Sequence, residues 1–515
     1  MTVDKSPCAI RAGSSPRRLG AARGQRGLRV ALSVAALCLC ATAVLLAPRP
    51  VRGFAADELP RGTLIESVNV EAAPGQSYAL YLPTGYTPGK RWPILYAFDP
   101  GGRGQTPVAL FRAAAERYGY VVAGSNDSRN GLAPAAVVAI INALWKDTHA
   151  RLSIDDARIY ATGFSGGARV ANRLAAGCGG CVAGVIASGA GFPPDIAPTA
   201  KLTYAFFGTV GVDDFNFREM RPLERTLDAL GISNRLVTFD GRHQWCPEAV
   251  CAEGLEWMEL LAMRRGRRPK DDVLIDAALA RLSARAESLK RPEDAYERYA
   301  LLKVMATTFD GLRDVARYRA EAAALKGTKE LRAAIAEEER QIGEEQKRAR
   351  EVVALGDGLM MDDEAHDDSL AGVRKRLAPW REQAKATEDS AARRVARRTL
   401  AHIFAEAFES ALFLYEPQKK FKLAVANLEL ATEVFPTAPG AEYELARALA
   451  LDGRKDKALD ALTRAVEKGY RDAAEAEREE AFAPLRANTR FKKLLGRMAE
   501  EQPGGAKTTT TREKN

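Results

Sequence analysis

The stretch Arg158-Ile159-Tyr160-Ala161-Thr162-Gly163-Phe164-Ser165-Gly166-Gly167 joins a short apolar run to a serine set among glycines. The run has strand character. A Gly-x-Ser-x-Gly pattern directly after a strand marks a tight strand-to-helix turn that lifts a serine hydroxyl clear of the sheet. Such a turn strains the serine backbone, and the residues two positions to either side must be small for strand and helix to approach. Gly163 and Gly167 meet that need, and Gly166 leaves room for a ligand beside the serine.

Outward from the turn, short apolar runs alternate with amphipathic stretches from about residue 62 to 265. Tyr78–Leu82, Pro93–Phe98, Tyr120–Gly124, Val182–Ser188, Leu202–Phe207 and Arg235–Phe239 read as strands. Ala135–Trp145 and Arg169–Ala176 read as helices, with Pro134 at a first turn where its missing N–H costs nothing. The alternation predicts a mostly parallel sheet flanked by helices. Ligand sites in such sheets gather at the carboxyl ends of strands. Ser165, Asp99 and the pair Asp213/Asp214 all follow predicted strands.

A nucleophilic serine needs a base to take its proton and an acid to orient that base. The region holds two histidines. His149 precedes the serine, on the helical side; His243 follows the last predicted strand, in Asp240-Gly241-Arg242-His243-Gln244-Trp245. On this topology the order along the chain is serine, acid, histidine, which selects His243. The acid then belongs in Gly208-Thr209-Val210-Gly211-Val212-Asp213-Asp214. Two adjacent acids compete there and only one can meet the imidazole; Asp214 is favoured over Asp213, which is then expected to cap a helix starting near Phe217. An oxyanion needs preorganised N–H donors. Gly166 is one, and the loop Asp99-Pro100-Gly101-Gly102 is expected to supply another from Gly101 or Gly102. The chemistry calls for no metal or organic cofactor. The short, Pro-rich Ala190–Ala200 segment leaves no room for an inserted lid, so an open site suited to a bulky or polymer-bound ester is expected. Asn126–Gly131, after the fourth strand, fits a lining of the pocket and a solvated loop equally well.

The net charge is +9, but residues 1–56 carry +8 of it and leave +1 for the rest. No basic nucleic-acid surface is indicated. That leader has a positive segment, an apolar run of 18 residues from Val30 to Ala47, and small residues ending at Ala55-Ala56. It reads as a secretory signal for periplasmic or secreted export, with an uncleaved membrane anchor as the alternative. Three of the seven cysteines lie in the leader, and Cys178, Cys181, Cys246 and Cys251 lie beyond it. An even mature count in an exported chain predicts local bridges Cys178–Cys181 and Cys246–Cys251. Cys178-Gly-Gly-Cys181 also has the form of half a metal site, without a matching second pair.

From about residue 268 strand signals vanish and Ala, Glu, Leu, Arg and Lys dominate at helical spacing. Ala424, Leu428, Ala431 and Pro436 recur as Ala458, Leu462, Ala465 and Tyr470 at an offset of 34 residues. This resembles the tetratricopeptide repeat, in which small residues let paired helices approach. The expected divisions are a helical region over 268–400, repeats over 405–498 and a polar tail over 501–515. A plain helical bundle is the other reading.

The segments Arg158–Arg169 and Gly241-Arg242-His243-Gln244-Trp245 resemble the secreted α/β-hydrolases, among them polyhydroxybutyrate depolymerase-like proteins and feruloyl or acetylxylan esterases. The resemblance spans about 200 residues and implies serine esterase chemistry by Ser165, Asp214 and His243. It departs at the oxyanion loop, where those proteins usually carry His-Gly. A serine peptidase of the same fold, and a non-catalytic scaffold in which the repeats bind a protein or peptide, are the competing readings. The region 62–265 holds every candidate catalytic residue, so it is expected to act without the helices.

Overall fold

The computed structural model describes residues 59–356 and 366–500. The leader and the polar tail lie outside the described residues.

Eight strands form one sheet: β1 (Leu64–Asn69), β2 (Ser77–Tyr81), β3 (Trp92–Phe98), β4 (Val121–Ser125), β5 (Ile154–Phe164), β6 (Gly184–Ser188), β7 (Ala205–Gly211) and β8 (Asn234–Phe239). Their order is β1-β2-β4-β3-β5-β6-β7-β8. β1 and β2 are antiparallel to their neighbours, and β3 to β8 run parallel. β3, β4, β6 and β7 are buried along their whole length, which is why they appear as unbroken apolar runs.

Successive side chains point to opposite faces, and each face has its own core. Ile94, Tyr96 and Phe98 pack with α2 (Pro134–Arg151), α3 (Gly166–Gly177) and α4 (Phe217–Ala229) through Ile141, Leu144, Leu174 and Met220. Leu95 and Ala97 pack on the other face with α1 (Gln105–Tyr118) and α5 (Glu248–Arg264) through Phe111, Leu255 and Met258. Both faces are thus covered by helices. β1 is absent from the strands expected from sequence: of its six residues only Val68 is buried, so the segment carries little apolar signal.

Beyond α5 the described residues are helical: α6 (Asp272–Ser288), α7 (Ala295–Thr308), α8 (Ala316–Lys326), α9 (Lys329–Gly356), α10 (His366–Lys385), α11 (Ala391–Glu409), α12 (Phe421–Val434), α13 (Pro439–Leu451), α14 (Lys455–Glu467), α15 (Ala473–Arg478) and α16 (Thr489–Glu500). Asp271 caps α6 by accepting from the Leu274 amide, and Ser390 caps α11 by accepting from that of Arg393. Ala424, Leu428 and Ala431 of α12 and Ala458, Leu462 and Ala465 of α14 are fully buried, so the 34-residue recurrence marks equivalent core positions. The division expected between residues 400 and 405 falls inside α11. No Gly or Pro interrupts that helix, and Val395, Ala396, Leu400, Ile403 and Ala407 give it one continuous buried stripe.

The two regions share a core. Leu260 and Met263 at the end of α5 pack with Leu274, Ile275, Leu302 and Met305. Trp257 donates its indole N–H to Thr308 Oγ1 at 2.9 Å, and the Tyr296 hydroxyl donates to Glu224 at 2.9 Å.

Candidate active site

Ser165 sits between β5 and α3 with φ 52° and ψ −121°, a backbone conformation rare for any residue with a side chain. Its amide donates to Ser188 O at 2.8 Å. A Cβ on Gly163 would collide with the carbonyl of Gly167, and one on Gly167 with the carbonyl of Phe98. The glycines are therefore required by close packing of β3, β5 and α3 around the turn.

His243 lies in the loop after β8, and its Nε2 is 2.9 Å from Ser165 Oγ. Its Nδ1 is 2.9 Å from Asp214 Oδ1. The imidazole is packed between Phe164 and Phe215, with ring centroids 4.6 and 4.2 Å away. Asp214, after β7, is fully buried. Its Oδ1 also accepts the Asn216 amide at 2.8 Å, while Oδ2 has no hydrogen-bond partner among the described residues. Gly189 stands against this pair: a Cβ there would lie 3.1 Å from Asp214 Oδ2 and 3.3 Å from His243 Cε1. The arrangement allows a proton to pass from Ser165 to His243 while Asp214 holds the ring.

Other residues fall elsewhere. His149 stacks on Trp145 with centroids 4.4 Å apart and hydrogen-bonds the Trp145 carbonyl at 2.9 Å. Burial holds its pKa below the ordinary histidine value. Asp213 does not cap α4; it pairs with Arg397 at 2.7 Å, and the N-cap position belongs to Asn216. Cys178 pairs with Cys181 and Cys246 with Cys251, the latter just past His243.

The loop after β3 differs from expectation. The Gly101 amide donates to Asp99 Oδ1 at 2.9 Å and the Gly102 amide to Asp99 O at 3.1 Å. Pro100 has no N–H. Gly101 and Gly102 are thus not free to serve as oxyanion donors. Asp99 is instead a fully buried hub: it also accepts from Arg103 Nε at 3.0 Å and from the Trp245 indole at 2.9 Å, tying this loop to the His243 loop. The carboxamide of Asn130 lies against Gly166, where a Cβ would overlap its Oδ1 and lie 3.4 Å from its Nδ2. The Asn130 amide donates to Pro100 O at 2.8 Å, which seats its loop on the one after β3.

The expected open rim is also replaced. A π-helical turn, Ser410–Tyr415, continues α11 and brings Phe413 against Gly131 in the loop after β4. Glu409, at the end of α11, faces the site near Arg169 and His243, and burial holds its carboxyl above the ordinary range. His402 Nδ1 is 3.0 Å from Arg218 Nη2, and its ring lies 6.4 Å from Phe215. The site is walled on one side by the helical region. Nothing in a local pattern joins residues so far apart, so Arg397 and Phe413 carried no signal in the sequence. Gly189 could have been found only by noticing a glycine directly after a buried strand.

The strand order, with the serine after β5, the carboxylate after β7 and the histidine after β8, defines the α/β-hydrolase fold. No protein-family model matches the chain. No curated protein matches it either. Among solved structures it is similar to S-formylglutathione hydrolase from Staphylococcus aureus, at 14% identity and TM-score 0.32, over 39% of this chain and 98% of that one. It is similar to the feruloyl esterase module from Clostridium thermocellum, at 15% identity and TM-score 0.31, over 38% of this chain and 85% of that one. An esterase from Pyrobaculum calidifontis gives 17% identity and TM-score 0.32, over 40% and 86%.

Proposed function

We propose that the protein is an exported serine hydrolase that cleaves carboxylic esters. The observation that carries this reading is the hydrogen-bonded series Ser165–His243–Asp214, 2.9 Å at each step, with the serine on a strained elbow. Ser165 Oγ attacks the ester carbonyl carbon while His243 Nε2 takes its proton. The tetrahedral intermediate collapses, the C–O bond to the alcohol breaks, and His243 returns the proton to the leaving oxygen. Water, deprotonated by His243, then attacks the acyl-enzyme, releasing the acid and restoring Ser165. Asp214 orients the ring throughout.

The Gly166 N–H, at the start of α3, is one oxyanion donor. With the Gly101 and Gly102 amides engaged, the Asn130 carboxamide, rotated to present Nδ2, is the second. Its side chain makes no hydrogen bond among the described residues that would fix the opposite orientation. The leader and the two cysteine pairs support export to an oxidising compartment. Among the described residues no helix is long and apolar enough to cross a membrane. A cleft of about 460 Å³ in the helical region, lined by residues that include Arg374, Glu433, Leu445, Lys457 and Arg464, is the surface that a peptide partner would meet.

The test is a fluorophosphonate probe on the full-length protein, followed by assays with p-nitrophenyl esters and peptide amides. Labelling of wild type and none of a folded Ser165→Ala variant is expected, with turnover of esters. Labelling that survives the substitution overturns the assignment. Turnover of amides alone would favour the peptidase reading.

A further inference from the structure

The turn after β7 carries two adjacent carboxylates held by different parts of the molecule. Asp214 faces His243. Asp213, 4% exposed, faces the helical region, where its Oδ2 lies 2.7 Å from Arg397 Nη1. The Asp213 amide donates to Gly241 O at 3.0 Å, so the turns that carry acid and base are joined at this residue. The next residue of α11, Arg398, donates to Val212 O at 3.0 Å. Arg398 is itself fixed: its side chain is 2% exposed, it pairs with Glu345 at 2.6 Å, and it lies 4.5 Å over the Phe217 ring. Two consecutive arginines therefore grip residues 212 and 213 and stop one residue short of Asp214.

An exposed ion pair contributes little, but this carboxylate is buried and next to a second one. Neighbouring carboxylates in one buried site disfavour each other's ionised form, and an uncancelled anion near an imidazole favours its protonation. Without its counter-ion Asp213 would make His243 a base that is already protonated over more of the working pH range. The other charged groups around Asp213 are Asp214 and Asp240 from the two loops and Arg394 on α11, which is itself bound by Asp389. Around His243 they are Asp214, Glu409, Arg169 and the neighbouring Arg242, with Arg169 engaged by Glu219 at 2.7 Å.

We propose that Arg397 is a positioning residue for the hydrolysis proposed above: it cancels the charge of Asp213, so that Asp214 is the one carboxylate of this turn that acts on His243, and with Arg398 it fixes the turn that aims Asp214. The helical region thereby sets the pH range of the site. This rests on the serine hydrolase reading.

The test is the pH profile of kcat/KM for p-nitrophenyl acetate in full-length protein, whose acid limb reports the pKa of the free base. Arg397→Ala moves that limb up by about 0.5–1 pH unit and lowers kcat with little change in KM. Asp213→Asn, which leaves Arg397 uncancelled, moves it down by about half a unit. The double variant returns it towards wild type, and Arg397→Lys leaves it in place. Limbs of Arg397→Ala and Asp213→Asn that coincide with that of an active wild type overturn the proposal and leave the serine hydrolase reading standing. Should Arg397→Ala not fold, the near-isosteric Asp213→Asn decides alone: an unmoved limb overturns the proposal. Absence of Ser165-dependent hydrolysis in wild type overturns both readings.

Discussion

Ser165 and Asp213 are held in place by opposite means. Around Ser165 the constraints are backbone to backbone: the amide bound to Ser188 O, and glycines that let Gly163, Gly167 and Phe98 touch. Around Asp213 they are long side chains from a helix 184 residues further along the chain. The sheet region builds its part of the site by close approach. The helical region builds its part with charge. The difference shows that helices following a complete sheet fold are structural partners of the site rather than an appendage.

The sharpest way to break that comparison is to cut the chain after Arg264. The sequence suggests that residues 62–265 act alone, but the cut would expose Leu260 and Met263 and take Arg397 from Asp213, Tyr296 from Glu224 and Arg281 from Glu256. We expect a poorly soluble product without measurable esterase turnover. A soluble, active fragment would restore the modular view.

Ser165→Ala comes next, with a loss of roughly 10⁴-fold or more in kcat at unchanged thermal stability. Equal melting temperatures by circular dichroism would confirm that the loss is chemical.

Arg398→Ala tests the helical side. Removing Arg398 takes from the buried Glu345 its paired guanidinium and leaves only the more distant Arg218 and Arg348 to offset its charge, at a cost of up to about 3–5 kcal/mol. Burial already holds the Glu345 carboxyl above its ordinary range. A carboxyl whose folded pKa is raised favours the folded state at pH below its unfolded pKa, and that contribution is lost as pH rises through the folded pKa. The Arg398→Ala protein should therefore be least stable, relative to wild type, at neutral and alkaline pH. Urea unfolding at pH 5 and pH 8 would show it, and an equal loss at both would count against the buried-pair account.

Asn130→Ala should lower kcat by about 10²-fold with KM little changed, the size seen when one oxyanion donor is lost. A change under threefold would return the search for the second donor to the backbone. The smallest effect is expected from Cys246→Ser with Cys251→Ser. A bridge closing so short a loop contributes about 2 kcal/mol, which thermal unfolding under oxidising conditions would register.

What was legible in the sequence follows the same divide. β3 and β7 are buried on both faces and appear as plain apolar runs, and the elbow's glycines are spaced by a local steric demand. β1, half-exposed at an edge, has no such pattern. Asp213 and Asp214 are indistinguishable by position. Only the loop geometry turns one towards His243 and the other towards Arg397. The engagement of the Gly101 and Gly102 amides was hidden because it depends on Asp99 folding back over its own loop, a choice that glycine-rich composition leaves open. Asn130, on a loop, and Phe413, on the π-helical turn after α11, meet the site through contacts between distant segments, where no periodicity operates.

The bridge from Arg397 to Asp213 also bears on biosynthesis. A ribosome completes β8 and His243 well before it reaches α11, so the nascent chain holds serine, acid and histidine while the second carboxylate still lacks its counter-ion. On the charge-compensation proposal, the base of the newborn sheet region stays protonated to a higher pH until α11 folds back onto it. Over the roughly half to one pH unit that separates the two states, docking of α11 is itself an activating event.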